Sequence, residues 1–187
     1  IINHNNQSFT RLTIDGGGVK TFGADIHIEN ELVLTNGILQ SANEAKIIVE
    51  DGALISGGSE ASYIDGWLYH TGTGQKTYAV GTAAQYLPVV FEDIIGDNPV
   101  LGVRAANVAS DYTVVSPLSA VSEQFYWQNN VASGTFDGSI VILPLVNELI
   151  LDSLDQAVIA QAEELTFDFA SLGASNRTGT ELSGFVT

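Results

Sequence analysis

Ile26-His27-Ile28-Glu29, Leu32-Val33-Leu34, Ile38-Leu39-Gln40, Lys46-Ile47-Ile48-Val49-Glu50 and Ala53-Leu54-Ile55-Ser56 follow one another within residues 19–56, punctuated by the turns Asn36-Gly37, Asp51-Gly52 and Gly57-Gly58. Ile28 to Ile47 is 19 positions and Leu34 to Leu54 is 20. A strand–turn unit repeating at that length predicts coils of a β-solenoid, each stacking its inward residues on the next. The stretch points to an extended scaffold, and no catalytic constellation accompanies it.

Strand patterns continue on both sides. Phe9, Leu12 and Ile14 begin a first strand, closed by Asp15-Gly16-Gly17-Gly18. Three successive glycines predict a loop, and no helix pattern follows them to make a phosphate-binding turn. Tyr63 to His70 and Lys76 to Gly81 read as two strands joined by Thr71-Gly72-Thr73-Gly74. Tyr86 to Ile95 and Val100 to Val108 read as a further pair around Gly96-Asp97-Asn98-Pro99, with Pro88 marking an edge or a bulge. Tyr112 to Val115, Gln124 to Gln128, Ser139 to Leu143, Val158 to Ala162, Leu165 to Phe169 and the end from Phe185 complete the strands. Residues 147–164 have partial helical spacing, with strand or loop preferred because their neighbours are β. The expected fold is all-β: a β-solenoid-like part over residues 1–109, then an antiparallel β-sandwich over residues 110–187, the two forming either separate domains or one continuous one.

Composition narrows the function. Hydrophobic residues at 45% against charged residues at 15% describe a chain with a core, not an acidic tail. Six basic residues face twenty-two acidic ones, a formal net charge of -16, so a nucleic-acid backbone or anionic lipid surface would be repelled. Cysteine is absent, which removes disulfides, zinc–thiolate sites and thiol catalysis. Methionine is absent too, which leads us to expect a processed product or a piece of a longer protein. No apolar run approaches the roughly 18 residues of a membrane span, so no membrane insertion is expected.

Several residues invite a chemical reading. Asp65, Glu92, Asp93 and Asp97, with Glu50 and Asp51, are the acids to test as a glycosidase pair. Most sit in turns, where Asp forms local hydrogen bonds, and no catalytic residue is expected. His4, His27 and His70 lack ligand spacing or a nucleophile elbow and read as surface residues. No cofactor is expected, with Ca²⁺ as the one exception: Asp93, Asp97 and Asn98 surround a turn, and Glu163, Glu164 and Asp168 form a second acidic group. Trp67 and Tyr69 fall on one face of a strand, as sugar stacking requires and as a core also requires; Tyr78 shares their expected hairpin, and Phe125-Tyr126-Trp127 is a second aromatic cluster.

Gly18-Val19-Lys20-Thr21-Phe22-Gly23 with Ile28 to Leu39, Tyr63-Ile64-Asp65-Gly66, Ala79-Val80-Gly81-Thr82, Gln85 to Val89, Phe125 to Gln128, Ser171-Leu172-Gly173 and Ser183 to Thr187 together resemble modules of very large cell-surface proteins of Bacteroidota, the gliding-type adhesins and other cargo of the type IX secretion system. The resemblance is one of strands and turns over nearly the whole chain. It implies a secreted or surface-bound structural module and supplies no residue-level active site. No C-terminal sorting domain is visible, so a fragment or one unit of an array is expected. Within that resemblance Asp152-Ser153-Leu154 is similar to the O-glycosylation acceptor pattern of exported Bacteroidota proteins, making Ser153 a candidate. Asn6-Gln7-Ser8 and Asn176-Arg177-Thr178 fit the N-glycosylation sequon, which has little force in a bacterial product.

The expected function is a non-enzymatic extracellular structural or adhesive module, working in a repeat array or filament. Its partners would be neighbouring modules or identical subunits, and surface glycans. A carbohydrate-binding module using Trp67 and Tyr69 is the alternative, and a β-solenoid polysaccharide-degrading enzyme stands third.

Overall fold

The computed structural model describes residues 8–107, 112–146, 153–162, 168–180 and 183–187, and over them the fold is all-β. The strands are β1 (Phe9–Ile14), β2 (Val19–Phe22), β3 (Ile26–Leu34), β4 (Ile38–Ser41), β5 (Lys46–Val49), β6 (Leu54–Gly57), β7 (Ile64–Asp65), β8 (Trp67–Thr71), β9 (Gly74–Tyr78), β10 (Gly81–Thr82), β11 (Gln85–Tyr86), β12 (Val89–Ile95), β13 (Val100–Asn107), β14 (Thr113–Val114), β15 (Phe125–Ser133), β16 (Gly138–Leu145), β17 (Ile159–Gln161), β18 (Asp168–Gly173), β19 (Arg177–Thr180) and β20 (Ser183–Val186). Within residues 147–164, the described part holds one short 3₁₀ turn, Leu154–Gln156, followed by β17.

The chain divides into two compact units. The first comprises residues 1–106 and 127–140; the second comprises residues 107–126 and 141–187.

In the first unit two parallel ladders alternate along the chain. One runs β1-β3-β5-β8, with β6 also on β3, and the other runs β2-β4-β7. Except for β5 and β6, which both lie on β3, successive strands up to β8 therefore feed opposite ladders. Leu12 pairs with Leu32 and Ile26 with Ile47, steps of 20 and 21 positions, and Val19 pairs with Ile38, a step of 19. These steps lie near the expected 19–20 positions, but in the shorter ladder the next step, Leu39 to Ile64, is 25, and the phase differs from the expected one. Ile28 pairs with Val49 rather than Ile47, and Leu34 pairs with Gly57 rather than Leu54. The turn at Asp51-Gly52 interrupts β5 and β6 while β3 runs on unbroken beside both, so the later step stretches to 23. Leu54 is consequently 64% exposed.

The register aligns buried side chains into columns. Ile26, Ile47, Leu68 and Val103 form one, and Ile28, Val49, His70 and Leu101 the next. All eight are at most 4% exposed. Each aliphatic member contributes about 1.5–3 kcal/mol of burial, so the columns supply much of the driving force for stacking.

Beyond β8 the strands do not pair as sequence neighbours. The hairpins expected of Tyr63–His70 with Lys76–Gly81, and of Tyr86–Ile95 with Val100–Val108, are replaced by nested pairs: β13 lies antiparallel to β8, and β12 lies antiparallel to β9. Burial explains the exchange. Tyr78 is fully buried, donates its hydroxyl proton to the Leu101 carbonyl at 3.0 Å, and meets the His70 and Phe91 rings edge-on at 4.9 and 5.5 Å. Those contacts face one sheet towards the other, which flat hairpins would not allow. The Trp67–Tyr69 strand and the Tyr78 strand are therefore in different sheets.

The second unit contains the sheet β14-β18-β17 and the pairing of β20 with β16 and β19. Leu145, Ala157 and Val186 form a small core there, packed against Leu154, Ile159 and Ala174. Arg177 Nε donates to the Ala157 carbonyl at 2.5 Å and ties the two strand groups of that unit together.

Candidate functional site

The chain crosses from the shorter ladder to the longer one twice in close succession, at residues 41–46 between β4 and β5 and at Asp65-Gly66-Trp67 between β7 and β8. Those corners, with Arg104 from β13, enclose a half-open cavity of about 220 Å³. Ser41, Asn43, Glu44, Asp65, Trp67 and Arg104 give it donors, acceptors and one aromatic wall. Gly66 permits the second corner: its φ is +154°, and a Cβ there would lie 2.5 Å from that of Ser41. Asn43 and Glu44 both hold left-handed backbone, at φ 58° and 56°. Two such residues in succession are costly outside glycine, and they aim Glu44 at its partners.

Glu44 Oε2 accepts from Trp67 Nε1 at 3.1 Å and from Arg104 Nη1 at 2.8 Å. Arg104 lies over the Trp67 ring, 4.8 Å from its centroid, and donates through Nε to Gln128 at 2.5 Å. The guanidinium is thereby held in place by one carboxylate, one amide and one indole. Glu44 is 73% exposed, so the ion pair itself contributes only about 0–1 kcal/mol; its effect is on orientation. Asp65 accepts from the Gln40 amide at 2.8 Å.

The sequence places Trp67 and Tyr69 on one face, and their rings do adjoin, with centroids 5.7 Å apart. They do not form an open platform. Tyr69 is 3% exposed because it lies across Gly102, where a Cβ would come within 2.3 Å of the ring, and Lys46 sits 5.3 Å from its centroid. Burial raises the Tyr69 pKa, and the nearby Arg104 partly opposes it. Trp67 alone reaches the cavity, with Arg104 covering part of it.

The cavity contains Asp65 and none of the other acids singled out from sequence. Glu50 pairs with His27 at 2.9 Å and Asp51 with Lys76 at 3.5 Å. Glu92 is half-buried on β12, and Asp93 is exposed at a bulge in that strand, with φ 52°. Asp97 is exposed in the next turn, where its carboxylate accepts from Asn98 Nδ2 and its backbone N–H donates to Thr135 Oγ1. Among the described residues no three His, Cys, Asp or Glu side chains gather to hold a metal. Asp168 accepts from Thr113, while Glu163 and Glu164 lie outside the described residues.

His70 corrects the expectation of surface histidines. It is 4% exposed; Nε2 donates to the Thr77 carbonyl at 3.0 Å, and Nδ1 is buried with no partner among the described residues. Burial is the main reason that its pKa is lowered to about 4. His27 is exposed as expected, and His4 lies outside the described residues. Ser153 caps the 3₁₀ turn, accepting from the Asp155 N–H at 3.3 Å, and is half-buried; Asp152 lies outside the described residues. In the remaining aromatic cluster Phe125 is buried, and Trp127 is half-buried with Nε1 donating to the Leu87 carbonyl at 3.0 Å.

Ser41, Asn43, Glu44 and Arg104 escape a reading of the sequence. Arg104 and Glu44 are 60 positions apart, and only the strand register brings them together. No protein-family model, curated protein or solved structure matches the chain.

Proposed function

We propose that the chain is a non-enzymatic, extracellular structural module of a bacterial surface protein, of the kind found in the large Bacteroidota adhesins that its sequence resembles. In this reading the N-terminal part is a short β-solenoid and the C-terminal part is sandwich-like. The module extends and links such a protein and presents its surface to neighbouring modules. The observation that supports it best is the pair of parallel ladders, with steps of 19 to 25 residues. Each coil is joined to the next by a ladder of backbone hydrogen bonds, which suits a spacer. The acidic surface, at a net charge of -16, agrees with a solvated exterior setting and disfavours polyanionic partners.

Antibodies raised against the folded chain test this on intact cells of the source organism. Labelling of unpermeabilised cells, removed by external protease, is the expected result. Labelling only after lysis overturns the proposal.

A further inference from the structure

We propose that the cavity between Glu44, Asp65, Trp67 and Arg104 binds one uncharged pyranose ring of a glycan. At about 220 Å³ it is smaller than the ~300–1,000 Å³ pockets of drug-sized ligands, so it has room for a single ring with its substituents in solvent. The lining matches a sugar's mixed chemistry. Trp67 offers the part of its indole that Arg104 leaves uncovered as an apolar wall for ring C–H groups, and Arg104 and Asn43 offer donors. Glu44 and Asp65 offer acceptors, each already fixed on one side by an internal partner. Fixed donors and acceptors reduce the ordering cost of binding.

The charges select among sugars. Glu44 is answered by Arg104, whereas among the described residues Asp65 has the Gln40 amide and no cation. The pocket therefore keeps a negative excess within a chain of net charge -16, and a uronic acid is disfavoured relative to its neutral counterpart. The strained Asn43–Glu44 pair is an independent mark: among the described residues nowhere else do two successive non-glycine residues adopt positive φ. That strain orients Glu44 into the cavity wall.

Trp67 and Trp127 are the only tryptophans, so Trp127→Phe leaves Trp67 as the sole indole reporter. In that background fluorescence is titrated with neutral methyl pyranosides (gluco, galacto, manno, fuco and N-acetylglucosamino) and with methyl glucuronide, to tens of millimolar. The expected result is a saturable change with at least one neutral pyranoside. Affinity should fall about tenfold or more in Asp65→Ala. Saturation should vanish in Ala106→Phe, which puts a ring into the cavity that Ala106 helps to line, with both variants keeping the parent's circular dichroism. No saturable change with any neutral sugar overturns the proposal. So does binding unaltered in both variants, or tighter binding of the glucuronide than of its neutral partner.

Discussion

His70 occupies a place in a buried column where its neighbours in register are Val49 and Leu101. With a folded pKa of about 4 against an ordinary 6.5, it stays neutral in the fold while the unfolded chain takes up a proton below about pH 6.5. The stability tied to its neutral form is thus full above pH 6.5 and is lost as pH falls towards 4, a change on the order of 3 kcal/mol. Lys76, which pairs with Asp51, adds to the depression. Denaturant melts between pH 4 and 7 should show the loss, and His70→Phe should flatten it. An unchanged pH profile in that variant would assign the effect to the carboxylates instead. Gly102 gives a second residue-level test, since a methyl group there meets the Tyr69 ring. Gly102→Ala should cost about 1–3 kcal/mol by overpacking, and replacing Tyr69 with Leu in the same chain should recover part of it. Full additivity of the two changes would break that explanation.

The repeat period was visible at the level of elements because apolar alternation and glycine turns are local signals. Ile26, Ile28, Leu32 and Leu34 announce an inward face unaided, and all are buried. Phase was not visible, since it depends on where a turn inserts extra residues between strands that β3 bridges. Nor were the nested pairs of β8 with β13 and β9 with β12, because a Gly-rich turn looks alike whether it closes a hairpin or spans two sheets. Trp67 and Tyr69 were legible as a same-face pair; the glycine that buries Tyr69 and the arginine that covers Trp67 lie on β13, beyond the reach of local pattern. The corrected phase is itself testable. Ile47→Ala should cost about 2–5 kcal/mol, as a cavity in a stacked column, while Leu54→Ala should change stability by no more than about 0.5 kcal/mol. Equal losses from urea melts would restore the simple 20-residue phase.

Across the whole molecule the two units differ in how much they bury. The first contains two buried columns and an aromatic cluster around Tyr78, whereas the buried apolar side chains described in the second are Phe125, Leu145, Ala157 and Val186. Local opening free energy follows burial and hydrogen-bond protection, so the units should open separately. Amide hydrogen exchange should find Ile28, Ile47 and Leu68 among the slowest sites, exchanging only on unfolding of their unit. The amides of β19 and β20 that pair Thr178 with Phe185 should exchange faster, since Phe185 is 47% exposed. For the proposed spacer this arrangement would keep the length of the more buried part while the less buried part yields first under load. Uniform protection in both units, collapsing together at one denaturant concentration, would mean a single cooperative body and would remove the mechanical rationale for an uneven core.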